Sequence, residues 1–276
     1  MVVKRSVPER IFDVFNVLLM GILSVIFAYP MLYVLFASFS DPAQLIAHTG
    51  ILFGPKGFSL DGYRMVLKTP SIWTGYANTI FYVCAGTFLN IILSSMGAYV
   101  LSRKGFAYRS VLTKAIVFTM YFSGGLIPFY LTIHNVGLYN TRLALILPVA
   151  INTWNLIVMR TSFSQIPESL EEAARIDGAN YFQISTRIIL PLIVPMIETC
   201  VVLAVVGSLK TFDFVYVMTN GGPVGATEVP STIMYDLLIN RSVYGEGSAA
   251  AVFIVVECLL FTVVLRYAFK KIKEKF

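Results

Sequence analysis

Charge is scarce in this sequence. Only 13% of its 276 residues are Asp, Glu, Lys or Arg, against 57% hydrophobic ones. A soluble domain carries about 25% charged residues, so an ordinary water-soluble globule is excluded and lipid is the expected solvent. Histidine and cysteine are as sparse. His48 and His134 lie far apart, and Cys84, Cys200 and Cys258 all sit inside apolar runs with no CxxC or Cys/His spacing. That excludes a disulfide framework and predicts no metal site, leaving the cysteines as small buried residues. No GxxxxGK[ST] phosphate loop, metal-binding His/Glu spacing or GxSxG nucleophile elbow is present, so the chain is expected to be no enzyme and to carry no cofactor of its own.

What the sequence has is long apolar runs. The net charge of +6 could suggest nucleic acid. Its basic residues, however, lie in short clusters between apolar runs, which is membrane topology and not a nucleic-acid patch. The stretch from Val14 to Ser40 has no charge, and no small-residue cleavage site follows it. It reads as a retained first helix and not as a signal peptide. Six runs approach the roughly 20 residues needed to cross a bilayer: Phe12–Phe36, Tyr76–Leu101, Ala115–Ile133, Leu143–Met159, Pro195–Met218 and Gly247–Tyr267. With the N-terminus inside, fifteen of the 21 Lys and Arg fall on inner segments and five on outer ones, with Lys210 inside a span. The positive-inside rule then places both termini in the cytoplasm. Two outer connections are long, Ser38 to Gly75 and Asn220 to Glu246. They read equally well as connectors and as docking surface for an extracytoplasmic partner.

The inner segment 165–191, QIPESLEEAARIDGANYFQISTRIILP, differs from the rest. Pro167 suits the first position of a helix. Glu168, Glu171 and Glu172 favour the positive end of its dipole, and Glu171 can pair with Arg175 one turn on. Gly178 fits the residue after the helix end, where a left-handed backbone is needed. A second helix is predicted from Tyr181 to Leu190, interrupted at Pro191. The segment is thus a short helix–turn–helix whose small alanines and acidic edge suit entry into a groove on a basic partner; the plain alternative is a loop joining two spans.

The order Glu172-Ala173-Ala174, then Gly178, then Ile188, Leu190 and Pro191 resembles the EAA loop of permease subunits of bacterial ABC importers. EEAARIDGA, with FSGGLIP at 122–128 and TNGGP at 219–223, is similar to the carbohydrate-importer branch that contains the maltose and glycerol-phosphate permeases. FSGGLIP also resembles the subgroup handling complex or pectin-derived saccharides. The resemblance covers nearly the whole chain. It implies an all-α membrane protein with the six-helix fold of binding-protein-dependent (type I) importers, a single permease domain over 1–276 with the EAA coupling loop at 165–191. It also implies a bacterial cell membrane, a second permease subunit in a heterodimer, two ATPase subunits that bind ATP-Mg, an extracytoplasmic solute-binding protein, and a sugar or oligosaccharide as cargo. Glu172, Ala173, Ala174, Asp177 and Gly178 are by that resemblance the ATPase-coupling residues.

The substrate path is drawn from polar residues inside spans. Charges there are costly, by about 2.5–3.5 kcal/mol on insertion scales, and so mark pairing or function. Lys210 and Asp213, three apart in the fifth span, are expected to pair, with Glu257 of the sixth span as a second acid. The alternative is that Lys210 faces the cavity and holds sugar. Glu198 is a further intramembrane acid with no assigned role. Asn152, Trp154 and Asn155 form a second candidate site, because amides and an indole suit sugar hydroxyls and stacking; their alternative is interhelical hydrogen bonding. Two competing classes remain open at this point. One is an ABC permease for a non-sugar solute. The other is an ion-coupled secondary transporter, which would need mid-membrane carboxylates and would leave the EAA pattern unexplained.

Overall fold

The computed structural model describes residues 7–274. Lys4, Arg5 and Lys275, counted in the charge balance, lie outside the described residues. Every element longer than an isolated bridge is helical: α1 (Val7–Ser38), α2 (Pro42–Ala47), α3 (Asp61–Lys68), α4 (Pro70–Ser102), α5 (Arg109–Tyr121), α6 (Leu126–Asn135), α7 (Leu143–Ile146), α8 (Thr153–Gln165), α9 (Glu168–Ile176), α10 (Tyr181–Ile184), α11 (Leu190–Leu209), α12 (Asp213–Met218), α13 (Pro230–Tyr235) and α14 (Tyr244–Lys273). They form two compact units: residues 1–69 with 234–253, and residues 70–233 with 254–276.

Four helices are long and apolar enough to cross a membrane without interruption: α1, α4, the continuous stretch Tyr181–Leu209, and α14. α1, at 32 residues, is about 48 Å long at 1.5 Å per residue. Ahead of its last turn, where Ala37 and Ser38 are buried, its apolar side chains are exposed over most of its surface, as expected of a helix whose solvent is lipid or a partner. The two expected spans between α4 and the coupling segment are built differently. The third is the pair α5 and α6, bent by 116°. Phe122 is extended and Gly125 has φ +84 and ψ 178, a backbone region essentially reserved for glycine. The run expected as the fourth is not one helix and does not by itself reach the length and hydropathy of a span. α7 has only four residues, and α8 starts afresh at Thr153, because the Asn152 side chain accepts the Asn155 N–H and caps it.

The fifth span departs from expectation at both ends. It does not break at Pro191. The turn before it widens over Ser185–Ile189, where the Leu190 N–H donates to Ser185 O, five residues back. This π-helical turn accommodates a proline that lacks an N–H and crowds the preceding turn. At the other end α11 stops at Leu209, and α12 begins only at Asp213.

In the first unit, Ala37, Leu45 and Leu52 form a small core. The Tyr63 hydroxyl hydrogen-bonds Ser38 Oγ at 2.8 Å, so the long connection after α1 is folded onto the end of that helix. In the second unit a buried cluster joins α4 (Ala98), α8 (Met159, Phe163), α9 (Ala174) and the 184–200 stretch (Ile184, Ile189, Ile193, Cys200). The helix–turn–helix is therefore part of a core and not a free loop.

Candidate functional site

The turn between α9 and α10 is fixed from both sides. Gly178 has φ +83, the left-handed conformation expected of it. The Ala179 N–H reaches Ala174 O at 2.9 Å, and the Gly178 N–H reaches Arg175 O at 3.0 Å. This pair of bonds is the Schellman motif that satisfies the last carbonyls of a helix. Two residues on, Asn180 and Gln183 exchange side-chain-to-backbone bonds, each 2.9 Å, and cap α10. Pro167 sits one place earlier than expected, as the extended cap before Glu168.

α9 has two distinct faces. Glu171 and Ala174 point inward and are buried. Glu172, Ala173, Asp177 and Gly178 are exposed, together with three apolar residues that sequence reasoning passed over: Ile176 (86% exposed), Tyr181 (74%) and Phe182 (75%). The five coupling candidates thus divide: four lie on the outward surface, and Ala174 belongs to the core. Ile176 was detectable in principle, since it falls out of phase with the buried positions Glu171 and Ala174. The expected Glu171–Arg175 contact is present at 3.8 Å, but the nearer partner of Glu171 is Arg103, at 2.5 Å. Arg103 follows directly after α4 and is remote in sequence, so spacing could not reveal it.

A cavity of about 440 Å³ opens between α4, α8 and the 203–215 stretch. Asn152, Trp154 and Asn155 all line it, with Tyr82, Thr87, Asn90, Ser208, Thr211 and Phe214. Its wall contains no Asp, Glu, Lys or Arg. Both readings of the amide cluster apply, to different residues. Asn155 is buried and donates to Asn90 Oδ1 at 2.8 Å, binding α8 to α4, while the Asn90 amide donates to Val149 O at 3.3 Å. The Trp154 indole is 57% exposed and free to stack. Thr87 Oγ1 is buried beside the cavity with no hydrogen-bond partner among the described residues, and such a group awaits one.

Lys210 and Asp213 do not line this cavity, and their expected pairing is not formed. Lys210 caps the end of α11, Asp213 opens α12, and the two intervening residues break the helical spacing that would have brought them together. Both are exposed, and neither makes an ion pair with the described residues, Glu257 included. Glu257 keeps a buried carboxylate oxygen without a hydrogen-bond partner among the described residues. Glu198 is paired with Lys273 near the end of α14. Arg142, not singled out from sequence, donates to Asn78 Oδ1 (3.1 Å) and Ala226 O (3.3 Å). It thereby ties the 219–229 loop to α4.

Long apolar helices fit to cross a membrane, a cavity walled by amides and aromatics, and a rigid helix–turn–helix with a free acidic and apolar face define a transport subunit. The chain belongs to the family of binding-protein-dependent transport system inner membrane components, whose profile matches residues 2–274. It is a multi-pass permease of an ABC importer and not an enzyme, and it resides in the bacterial inner membrane. It is 39% identical over 203 residues to Protein LplC of Bacillus subtilis (strain 168), covering 74% of this chain and 68% of that one. It is 42% identical over 193 residues to the polygalacturonan/rhamnogalacturonan transport system permease protein YtcP of the same organism, covering 69% and 66%. Among solved structures, a chain of a bacterial ABC transporter involved in the import of the acidic polysaccharide alginate superposes with a TM-score of 0.80 at 29% identity. That match covers 96% of this chain and 99% of the other.

Proposed function

We propose that this chain is a single permease domain forming one half of the membrane path of an ATP-driven oligosaccharide importer. The other half is a different permease subunit. Two ATPase subunits, which bind ATP-Mg, lie on the cytoplasmic side, and a solute-binding protein delivers the sugar from outside. Both termini and segment 165–191 are cytoplasmic in this reading, as the distribution of Lys and Arg supports. The observation that carries it is the outward face of the α9–α10 turn. Glu172, Ala173, Ile176, Asp177, Tyr181 and Phe182 stand exposed on a segment whose own caps are satisfied. Exposed apolar residues on a rigid, acidic frame mark a protein-docking surface.

The cavity supports a sugar as cargo. It offers an exposed indole, side-chain amides and the Thr87 hydroxyl, which has no partner among the described residues, and the residues that line it carry no charge. Those groups match the alternating polar edges and apolar faces of a glycan. The relatives named above for polygalacturonan and alginate make oligogalacturonate and alginate oligosaccharides the first probes. The test is co-expression with the neighbouring genes, pull-down through this chain, and uptake in proteoliposomes. The expected result is a co-purifying ATPase and ATP-dependent, binding-protein-dependent uptake. Uptake by this chain alone, driven by an ion gradient, would sink the proposal in favour of a secondary carrier. ATP-driven uptake of peptides or amino acids, but of no saccharide, would keep the importer and remove the sugar.

A further inference from the structure

Glu171 and Glu172 are neighbours in sequence and face opposite ways. The Glu171 side chain is 7% exposed, and its Oε1 lies 2.5 Å from Arg103 Nη1. Arg103 comes immediately after the last residue of α4. Its guanidinium lies 4.2 Å from the centre of the Tyr99 ring, and Tyr99 meets Phe163 of α8 edge-on at 5.5 Å. Arg103 Nε and Nη2 and Glu171 Oε1 are buried with no hydrogen-bond partner among the described residues, so the contact is an ion pair and not a hydrogen bond. A second bridge, Lys104 to Glu168 at 3.8 Å, is exposed and contributes little.

A buried ion pair with spare donors is a poor way to add stability, because desolvation offsets much of the attraction and apolar side chains would do as well. What it does supply is a fixed relative position. That matters here because the covalent route from α8 into α9 is not helical. Ile166 and Pro167 are both extended (ψ 119 and 132), so the covalent link does not itself fix α9, which is held by the apolar cluster through Ala174 and by the Arg103–Glu171 pair. α4, by contrast, is unbroken from Pro70 to Ser102. About 24 Å of continuous helix, at 1.5 Å per residue, separates Arg103 from Thr87 on the cavity wall. Tyr82 and Asn90 line the cavity from the same helix.

We infer that Arg103 and Glu171 form a latch that carries displacement of α9 into α4, and through α4 to the wall of the cavity. Both are positioning residues: neither touches cargo, and neither lies on the outward face of α9. The inference rests on the importer reading above, because it requires an ATPase that moves α9.

The test uses the assembled importer with Cys84, Cys200 and Cys258 replaced and Ser208→Cys as a reporter in the cavity. Labelling by a membrane-impermeant maleimide is followed in right-side-out vesicles, with and without internal ATP and vanadate. ATP hydrolysis and ATPase co-purification are measured on the same samples. With the latch intact, nucleotide should change the labelling rate about tenfold, a usual size for coupling between two sites. In Arg103→Met and in Glu171→Gln, the ATPase should still co-purify and hydrolyse ATP, while the labelling change shrinks to about twofold or less. The charge swap Arg103→Glu with Glu171→Arg should restore it, which a loss of packing would not allow. If the single variants fail to accumulate, Arg103→Lys keeps the charge without the planar fork and should give an intermediate response. A full response in the single variants, or in Arg103→Lys where that stands in for them, overturns the latch; so does a swap that restores nothing. Absence of any ATPase from the unsubstituted complex overturns the importer reading instead, and shows before label is added.

Discussion

Two helix interruptions in the second unit invite comparison: the turn at 176–184 and the break at 209–213. In the first, the end carbonyls, the new helix start and the inward acid all find partners within the chain. In the second, Lys210 and Asp213 stand exposed on either side of the gap with no ion pair to the described residues. The first is a pre-organised tool, rigid before anything docks. The second reads as half of a site, with charge that a neighbouring subunit, headgroups or cargo must meet. Substitutions should therefore cost stability at the first and only function at the second, except on the outward face of the turn, where docking alone is at stake.

The largest functional effect is expected from Glu172→Lys. It reverses a charge at the exposed acidic face while touching no internal contact. Uptake should be lost and ATPase co-purification should fall, yet the thermal stability of the isolated chain should move by no more than about 0.5 kcal/mol, as at other surface positions. A large drop in stability would mean that this face is not free. Gly178→Val acts from the other side of the comparison. A β-branched residue at φ +83 is strained by about 1–3 kcal/mol. Hydrogen exchange over residues 174–184 should accelerate and uptake should drop, while the other spans still insert. Unchanged exchange would show that the turn tolerates another backbone and is not pre-organised.

Asn155→Ala probes the wall of the cavity. It removes the 2.8 Å bond to Asn90 and leaves Asn90 Oδ1 buried without a donor, at a cost of about 1–3 kcal/mol. Trp154→Ala, on an exposed indole, should leave stability nearly unchanged and weaken uptake. The pair of measurements separates the residue that builds the wall from the one that faces into it. Equal losses of stability in both would mean that the indole is also structural.

The turn and the cavity were legible to different degrees. Gly178, the acidic first turn of α9 and the amide cluster on α8 all stand out, because caps and amide positions act over three or four residues and leave a local signature. The breaks inside the runs expected as third and fourth spans did not, since hydropathy counts apolar residues and is blind to direction. Gly125 and Asn152 turn the backbone inside runs that read as continuous. The i,i+3 spacing of Lys210 and Asp213 implied a pair only while the helix was taken to continue through Thr211 and Phe212. Arg103 was legible as an inner charge, but its contact with Glu171 depends on how α4 and α9 pack, which no local pattern encodes.

The smallest effect on stability is expected from Lys210→Met, and it decides the comparison. Had Lys210 been paired with a buried carboxylate, removing it would cost about 3–5 kcal/mol by leaving that acid alone. Here its ammonium group makes no ion pair with the described residues, and both it and Asp213 are exposed. The isolated chain should therefore keep its stability to within about 0.5 kcal/mol, and adding Asp213→Asn should change nothing further. The effect should appear only in the assembled importer, as weaker association with the second permease or slower uptake. Association measured by pull-down and uptake measured with oligogalacturonate assign the charge to the partner or to the cargo. A destabilised Lys210→Met that Asp213→Asn rescues would restore the pair and close the gap between the two regions.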